Sequence, residues 1–259
     1  MCGIVGIWGS TPDKMAVLAR SRAAMRHRGP DDEGFWEDAE NDWGLVPVRL
    51  SVLDVSSAGH QPMVSACGRY VLVLNGEIYN HLALRELLAV QGQAPDWRGH
   101  SDTETLLAAM VAWGLEATLK SAVGMFALAL WDRSERALCL ARDRMGEKPL
   151  YYGFSDSTLF FASELKALHA IPGVDWTISR DAVALMMRHN YIPAPHSIHR
   201  NVRKLMPGTY VRYTPDTLRD QFDQQPLTYW SACEVALESV KQPLAFNRDE
   251  DALDALDTV

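Results

Sequence analysis

The sequence predicts an α+β domain in which antiparallel sheets are covered by helices on their outer faces. Two observations carry this. Residues 126–131 and 137–141 are near-continuous apolar runs joined by a polar turn from Asp132 to Arg136, the pattern of strands buried on both faces. Elsewhere short apolar strands alternate with brief helices, without the regular βαβ spacing of a parallel sheet.

The elements follow in order. Residues 2–8 form a strand that ends at Gly9, and residues 14–26 a helix with Met15, Leu18, Arg22 and Met25 along one side, broken by Gly29-Pro30-Asp31-Asp32. Residues 63–66 and 69–74 make a hairpin turning at Cys67-Gly68, and Asn75-Gly76 follows directly. Residues 81–90 are helical, with Leu82, Leu84, Leu87 and Leu88 apolar. The next helix starts at Ser101-Asp102-Thr103-Glu104, which fits a capping box, and runs through Leu106, Leu107 and Met110 to Trp113. A strand at 158–162 precedes a short helix at 164–169. Beyond Pro172 the texture changes to proline-punctuated extended chain at 191–195, and residues 205–210 turn into one more strand. After Tyr213 the sequence is polar, and 249–259 shows helical spacing that stops without a cap. Residues from about 214 onward are therefore expected to connect toward something further.

Composition narrows the function. At 259 residues and 47% hydrophobic content the chain can bury one large core or two modest ones. A formal charge of -8 argues against nucleic acid, and the basic run 20–28 is followed at once by Asp31-Asp32-Glu33. No apolar run reaches the ~18 residues of a membrane span, and no basic region precedes an apolar stretch at the N-terminus, so a cytoplasmic protein is expected. Cys2, Cys67, Cys139 and Cys233 show no CxxC spacing and are expected as thiols, with Cys139 a small core hydrophobe. The eight histidines are scattered, so no metal site is expected.

Cys2 is a candidate nucleophile. Once Met1 is removed, its thiol and its own α-amine form a nucleophile and a base on one residue; the amine has a reference pKa of about 7.7–8 and takes the thiol proton without a histidine. The competing reading is that a second-position cysteine is incidental.

Seven segments decide between them: Met1-Cys2-Gly3-Ile4-Val5-Gly6, Arg26-His27-Arg28-Gly29-Pro30-Asp31, Arg49-Leu50-Ser51, Asn75-Gly76-Glu77-Ile78-Tyr79-Asn80, Ser101-Asp102-Thr103-Glu104, Gly124-Met125-Phe126-Ala127 and Lys148-Pro149-Leu150-Tyr151-Tyr152. In that order they resemble the glutaminase domain of glutamine-hydrolysing asparagine synthetases, over about residues 2–213. The resemblance implies an N-terminal-nucleophile hydrolase fold, a four-layer αββα sandwich of two antiparallel sheets, with Cys2 at a strand end in the cleft. It implies that Cys2 attacks the side-chain amide of glutamine to give a thioester, and that Asn75 and the Gly76 N–H hold the oxyanion. Arg49 would grip the glutamine α-carboxylate with a planar fork, and Glu77 and Asp102 its α-ammonium.

Each assignment has a plainer competitor. Asn75-Gly76 is also the signature of a type I′ hairpin turn, and both readings hold together if a positive φ at Gly76 aims its N–H into the cleft. Asp102 is also a helix-start carboxylate in the Ser101/Glu104 box. Arg49, between Val48 and Leu50, is an interior strand arginine that needs a partner. Arg26-His27-Arg28-Gly29-Pro30 is assigned no chemical role, and Arg142-Asp143-Arg144 is expected as a turn held by local ion pairs.

Glutamine hydrolysis by such a domain needs no cofactor. ATP and Mg²⁺ would belong to a C-terminal synthetase domain that activates aspartate and receives the ammonia; its Ser-Gly-Gly-x-Asp-Ser loop does not occur here, nor does GxxxxGK[ST]. The expected partners are glutamine and that domain, with room for a homodimer. A different carboxylate acceptor, or a scaffold that has lost activity, are the rival readings.

Overall fold

The computed structural model describes residues 2–246 and 248–257. In chain order the strands are β1 (Gly3–Trp8), β2 (Asp32–Glu33), β3 (Trp36–Asp38), β4 (Trp43–Arg49), β5 (Met63–Val64), β6 (Tyr70–Ile78), β7 (Gly124–Asp132), β8 (Ala137–Arg142), β9 (Tyr151–Ser155), β10 (Thr158–Ala162), β11 (Val202–Lys204), β12 (Thr209–Tyr213) and β13 (Leu227–Thr228). The helices are α1 (Lys14–Met25), α2 (His81–Val90), α3 (Asp102–Trp113), α4 (Leu115–Ser121), α5 (Leu165–Leu168), α6 (Arg180–His189), α7 (Ala232–Lys241) and α8 (Asp249–Asp257).

The strands form two antiparallel sheets. One runs β11-β9-β10-β1-β4-β2, with β3 also on β4; the other runs β13-β12-β8-β7-β6-β5. Strand alternation builds the layers. On β1, Ile4 and Trp8 point into the space between the sheets, while Val5 and Ile7 point out to α1 and α5, meeting Val17, Leu18, Ala167 and Leu168. On β7, Ala127, Ala129 and Trp131 face the other sheet, and Phe126, Leu128 and Leu130 face α3 and α4 at Leu106, Leu107, Met110 and Leu119. The apolar runs 126–131 and 137–141 are thus buried on both faces because each sheet separates two cores. The intersheet core centres on Trp131, which stacks on Trp43 at 5.6 Å between ring centroids and meets Trp8 edge-on at 5.1 Å. Offset and edge-on geometry is what ring quadrupoles favour. The four-layer αββα expectation holds.

Several local expectations are corrected. The buried face of α1 is Val17, Leu18, Ser21 and Met25, whereas Met15 is exposed. On α2 only Leu84 and Leu88 are buried, and Leu82 and Leu87 face out. The capping box forms by half: the Ser101 hydroxyl accepts from the Thr103 N–H, but Glu104 turns away to accept from the N–H groups of Arg98 and Gly99 at 2.9 and 3.1 Å. Asn75 and Gly76 are in no turn. They lie inside β6, opposite Ala127 and Phe126, and Gly76 has no positive φ.

Past Tyr213 the chain first crosses to the edge of the first sheet, where Phe222 meets Tyr152 and Phe154 of β9 edge-on, and then returns to the second sheet. Thr228 pairs with Thr209, and the buried Tyr229 donates its hydroxyl to the Arg142 carbonyl at 2.8 Å. Helices α7 and α8 carry no buried residue. Of the helical spacing expected over 249–259, α8 covers Asp249–Asp257, and residues 258–259 lie outside the described part.

Candidate active site

Cys2 immediately precedes β1, where Gly3 pairs with Val48 and brings the end of β4 alongside. Its Sγ lies 3.7 Å from the Leu50 carbonyl oxygen. Its backbone carbonyl accepts from Arg28 Nε at 2.9 Å, and the same guanidinium donates to Glu164 at 2.8 Å. Partial burial pushes the Glu164 carboxyl up, but hydrogen bonds from Arg28, Lys166 and His27 outweigh it and hold the group at about 2. Arg28 therefore stays tied between two fixed anchors, and Cys2 is held by its backbone. Met1 lies outside the described residues, and the expected cleavage before Cys2 with it.

On the facing sheet, β6 supplies Asn75, Gly76 and Glu77. Phe126, opposite Gly76, directs both its N–H and its carbonyl to Asp143, so this pair exchanges no ladder bonds. Antiparallel alternation then puts the N–H groups of Leu74, Gly76 and Ile78 on the other edge of β6. Leu74 N–H meets the Gln61 side-chain oxygen and Ile78 N–H meets Asp102 Oδ2, each at 2.8 Å. Between those two, the Gly76 N–H faces the cleft. A glycine is needed there for space: a Cβ would run into the Met125 carbonyl and the Phe126 backbone.

Arg49 ends β4, and its guanidinium is buried, donating to the Asp54 carbonyl and lying 3.6 Å from Asp32. Gly59 packs so close to that guanidinium that any side chain would displace it. Asp102 is the first residue of α3 and is buried. It accepts from Thr103 N–H as well as Ile78 N–H, which fastens the helix start to β6. Burial pushes its carboxyl above the usual range, with the two backbone donors opposing.

All six residues expected at the site, Cys2, Arg49, Asn75, Gly76, Glu77 and Asp102, line one cleft of about 130 Å³, room for a molecule of amino-acid size. The sequence did not single out Arg28, Gln61, Asp54 or Ser163. Arg28 stood inside a recognised motif, but its anchor is 136 residues away at Glu164, and only tertiary structure joins them. Among the described residues, no group of three or more His, Cys, Asp or Glu could hold a metal, and no helix is long and apolar enough to cross a membrane.

Asp54, at the cleft wall, has its carboxyl held at about 2 by hydrogen bonds from the Ser56 hydroxyl and the His100 N–H. A depressed carboxyl contributes stability above its unfolded value near 3.8 and loses it as pH falls toward 2. Glu164 acts in the same direction. Melting temperature followed from pH 5 to 2 is expected to fall, and Asp54→Asn to flatten that slope; an unchanged slope would mean Asp54 is not linked to folding.

Two antiparallel sheets lie between helical layers, with a cysteine leading the first strand into a cleft, an arrangement shared with amidotransferases of known structure. The structure resembles glutamine phosphoribosylpyrophosphate amidotransferase from B. subtilis complexed with ADP and GMP, with a TM-score of 0.62 over 88% of this chain and 49% of that one; at 17% identity this shows the fold. The family model for the glutamine amidotransferase domain matches residues 1–230, and the chain belongs to that family. It is 35% identical to asparagine synthetase [glutamine-hydrolyzing] 1 of Bacillus subtilis over 221 residues, 83% of this chain and 34% of the relative. It is 41% identical to asparagine synthetase B of Escherichia coli over 174 residues, 65% of this chain and 30% of that protein. Amidase chry2 of Gibberella zeae is 31% identical over 223 residues, 85% of this chain and 32% of the amidase. The chain thus spans about a third of the length of these relatives.

Proposed function

We propose that the chain hydrolyses glutamine to glutamate and ammonia with Cys2 as N-terminal nucleophile, and that the ammonia serves ATP-dependent conversion of aspartate to asparagine in a synthetase domain. The observation that carries this is the convergence of a thiol, a free strand-edge N–H with its neighbouring amide, a buried arginine and two carboxylates on one cleft.

With Met1 removed, Cys2 Sγ attacks the glutamine side-chain carbon while its α-amine takes the thiol proton. Carbonyl oxygen becomes an oxyanion, held by Asn75 Nδ2 and the Gly76 N–H. The amine returns the proton to the departing nitrogen, ammonia leaves, and a thioester remains. Water then adds, glutamate departs and the thiol is restored. Arg49 binds the α-carboxylate and Glu77 and Asp102 the α-ammonium. No ATP enters these steps; ATP and Mg²⁺ are assigned to the synthetase domain. Residues 2–213 are the glutaminase unit and 214–259 the connector, of which residues 227–230 lie on the second sheet.

Purified chain given glutamine without ATP is expected to release glutamate and ammonia in equal amounts, and to make no asparagine from aspartate and ATP. Its rate is expected to rise with pH as the α-amine loses its proton near about 8. Glutamate release that a Cys2→Ala control retains would defeat the assignment. A different acceptor is the second reading, favoured by the likeness to a relative named an amidase; assay of the full-length protein with aspartate separates the two.

The clamp makes its own prediction. Arg49→Lys keeps the charge and loses the planar fork and the bond to the Asp54 carbonyl. Charge-assisted hydrogen bonds of this kind are worth about 1.5–3 kcal/mol, so kcat/KM for glutamine is expected to fall roughly 10- to 150-fold, mostly through KM. An unchanged KM would remove Arg49 from substrate binding.

A further inference from the structure

Ser163 follows β10 directly and is fully buried, and it does not line the cleft. Its N–H donates to the Ile4 carbonyl at 2.9 Å, and its hydroxyl oxygen accepts from the Ile4 N–H at 3.0 Å. Both backbone groups of the residue two places after Cys2 are thereby fixed to Ser163. The same hydroxyl lies 3.4 Å from Asn75 Nδ2, while Asn75 Oδ1 is buried without a partner.

A hydroxyl carries one proton and two lone pairs. Accepting from Ile4 leaves that proton to be placed. With Nδ2 toward Ser163, the hydroxyl oxygen accepts from both Ile4 and Asn75, its own proton is left without an acceptor, and the amide oxygen is stranded. Turning the amide by about 180° about its last torsion, a rotation that exchanges oxygen and nitrogen in nearly the same volume, resolves both. Oδ1 then accepts the Ser163 hydroxyl proton. The NH₂ then takes the opposite end of the amide, away from Ser163; Asn75 lines the cleft and Ser163 does not.

We propose that Ser163 is a positioning residue for amide hydrolysis: it accepts from the Ile4 N–H, donates to Asn75 Oδ1, and so aims the Asn75 NH₂ at the cleft while joining that donor to the strand that carries Cys2. The proposal rests on the reading of Asn75 as an oxyanion donor. It explains why a hydroxyl residue sits fully buried where the two sheets meet, and why Asn75, itself fully buried, keeps a polar atom unpaired in the absence of that turn. Ser163 touches no substrate and acts through Asn75.

The test uses the whole chain with Met1 removed. In Ser163→Ala, kcat for glutamine is expected to fall about tenfold or more, with KM within about threefold and the rate of Cys2 alkylation by iodoacetamide within about twofold, since alkylation needs no oxyanion donor. Ser163→Cys, close in size but a weak donor, is expected to fall between wild type and alanine, and keeps the test readable if the alanine variant folds poorly. In an Asn75→Ala background, Ser163→Ala is expected to cause no further loss of kcat. A tenfold loss that persists there would overturn the proposal, because Ser163 would then act through Ile4 and Cys2; so would slowed alkylation with an unchanged oxyanion contribution. If Asn75→Ala alone left kcat at the wild-type value while Cys2→Ala abolished turnover, the oxyanion reading itself would fail. That result is separate from additivity between the two sites.

Discussion

Replacing Cys2 with alanine is expected to reduce glutamine hydrolysis by at least about 10³-fold, the scale on which nucleophile knockouts act, and to shift the melting temperature by no more than a few degrees. The two effects separate because of where the side chain sits. Cys2 precedes β1, is partly exposed, and its Sγ has one polar neighbour, the Leu50 carbonyl at 3.7 Å. Truncating it empties little core, whereas the anchors of the residue, Arg28 on its carbonyl and the β1–β4 ladder beside it, do not involve the thiol. Retaining Met1 is expected to have the same kinetic consequence by another route, since the α-amine is then locked in a peptide bond and the thiol has no base. Intact mass and glutamate release measured on the same preparation check both. Full activity in a preparation that keeps Met1 would refute the N-terminal mechanism.

The layers of this fold were legible because burial on both faces leaves a mark on composition. Residues 126–131 and 137–141 could not be solvent-facing strands, and the alternation of their small and large side chains between the two cores follows from the pleat. Less legible was anything set by the third dimension alone. Leu82 and Leu87 look like core residues on α2 yet face out, because α2 packs against α3 and buries only Leu84 and Leu88. Glu104 stands at the right spacing for a capping box, but the Arg98-Gly99 backbone offers it two donors and draws it away. Asn75-Gly76 carries the composition of a hairpin turn and lies mid-strand, its glycine demanded by the Met125 and Phe126 backbone rather than by a positive φ.

The candidate site divides in the same way. Its residue types were readable because each motif is short and chemical, a cysteine after the initiator, an arginine inside a strand, an acid at a helix start. The supports were not readable. Arg28 reaches Glu164 and Cys2, and Ser163 reaches Ile4 and Asn75, across 88 to 159 positions of chain for Ser163 alone. Such supports come from the pairing of β1 with β10, and no local pattern announces that pairing.

Asn75→Ala is expected to lower kcat about 10²- to 10³-fold, the cost of removing one oxyanion donor, about 2.7–4 kcal/mol, while leaving KM near its wild-type value. The donor is engaged only when charge develops on the oxygen, so ground-state binding is little affected. The Gly76 N–H remains, because β6 still presents it between Leu74 and Ile78, and residual turnover above the Cys2→Ala background is expected for that reason. Stability is expected to change far less than activity. Asn75 is fully buried and bonds the Ser163 hydroxyl. Truncation removes that bond and a small side-chain volume, so the melting temperature is expected to fall by no more than a few degrees. Asn75→Asp is expected to be worse than alanine for turnover, since a carboxylate in place of the amide would repel the oxyanion that the amide is there to hold. A variant in which the melting temperature falls steeply along with kcat would assign Asn75 to the core of the fold instead of to the chemistry.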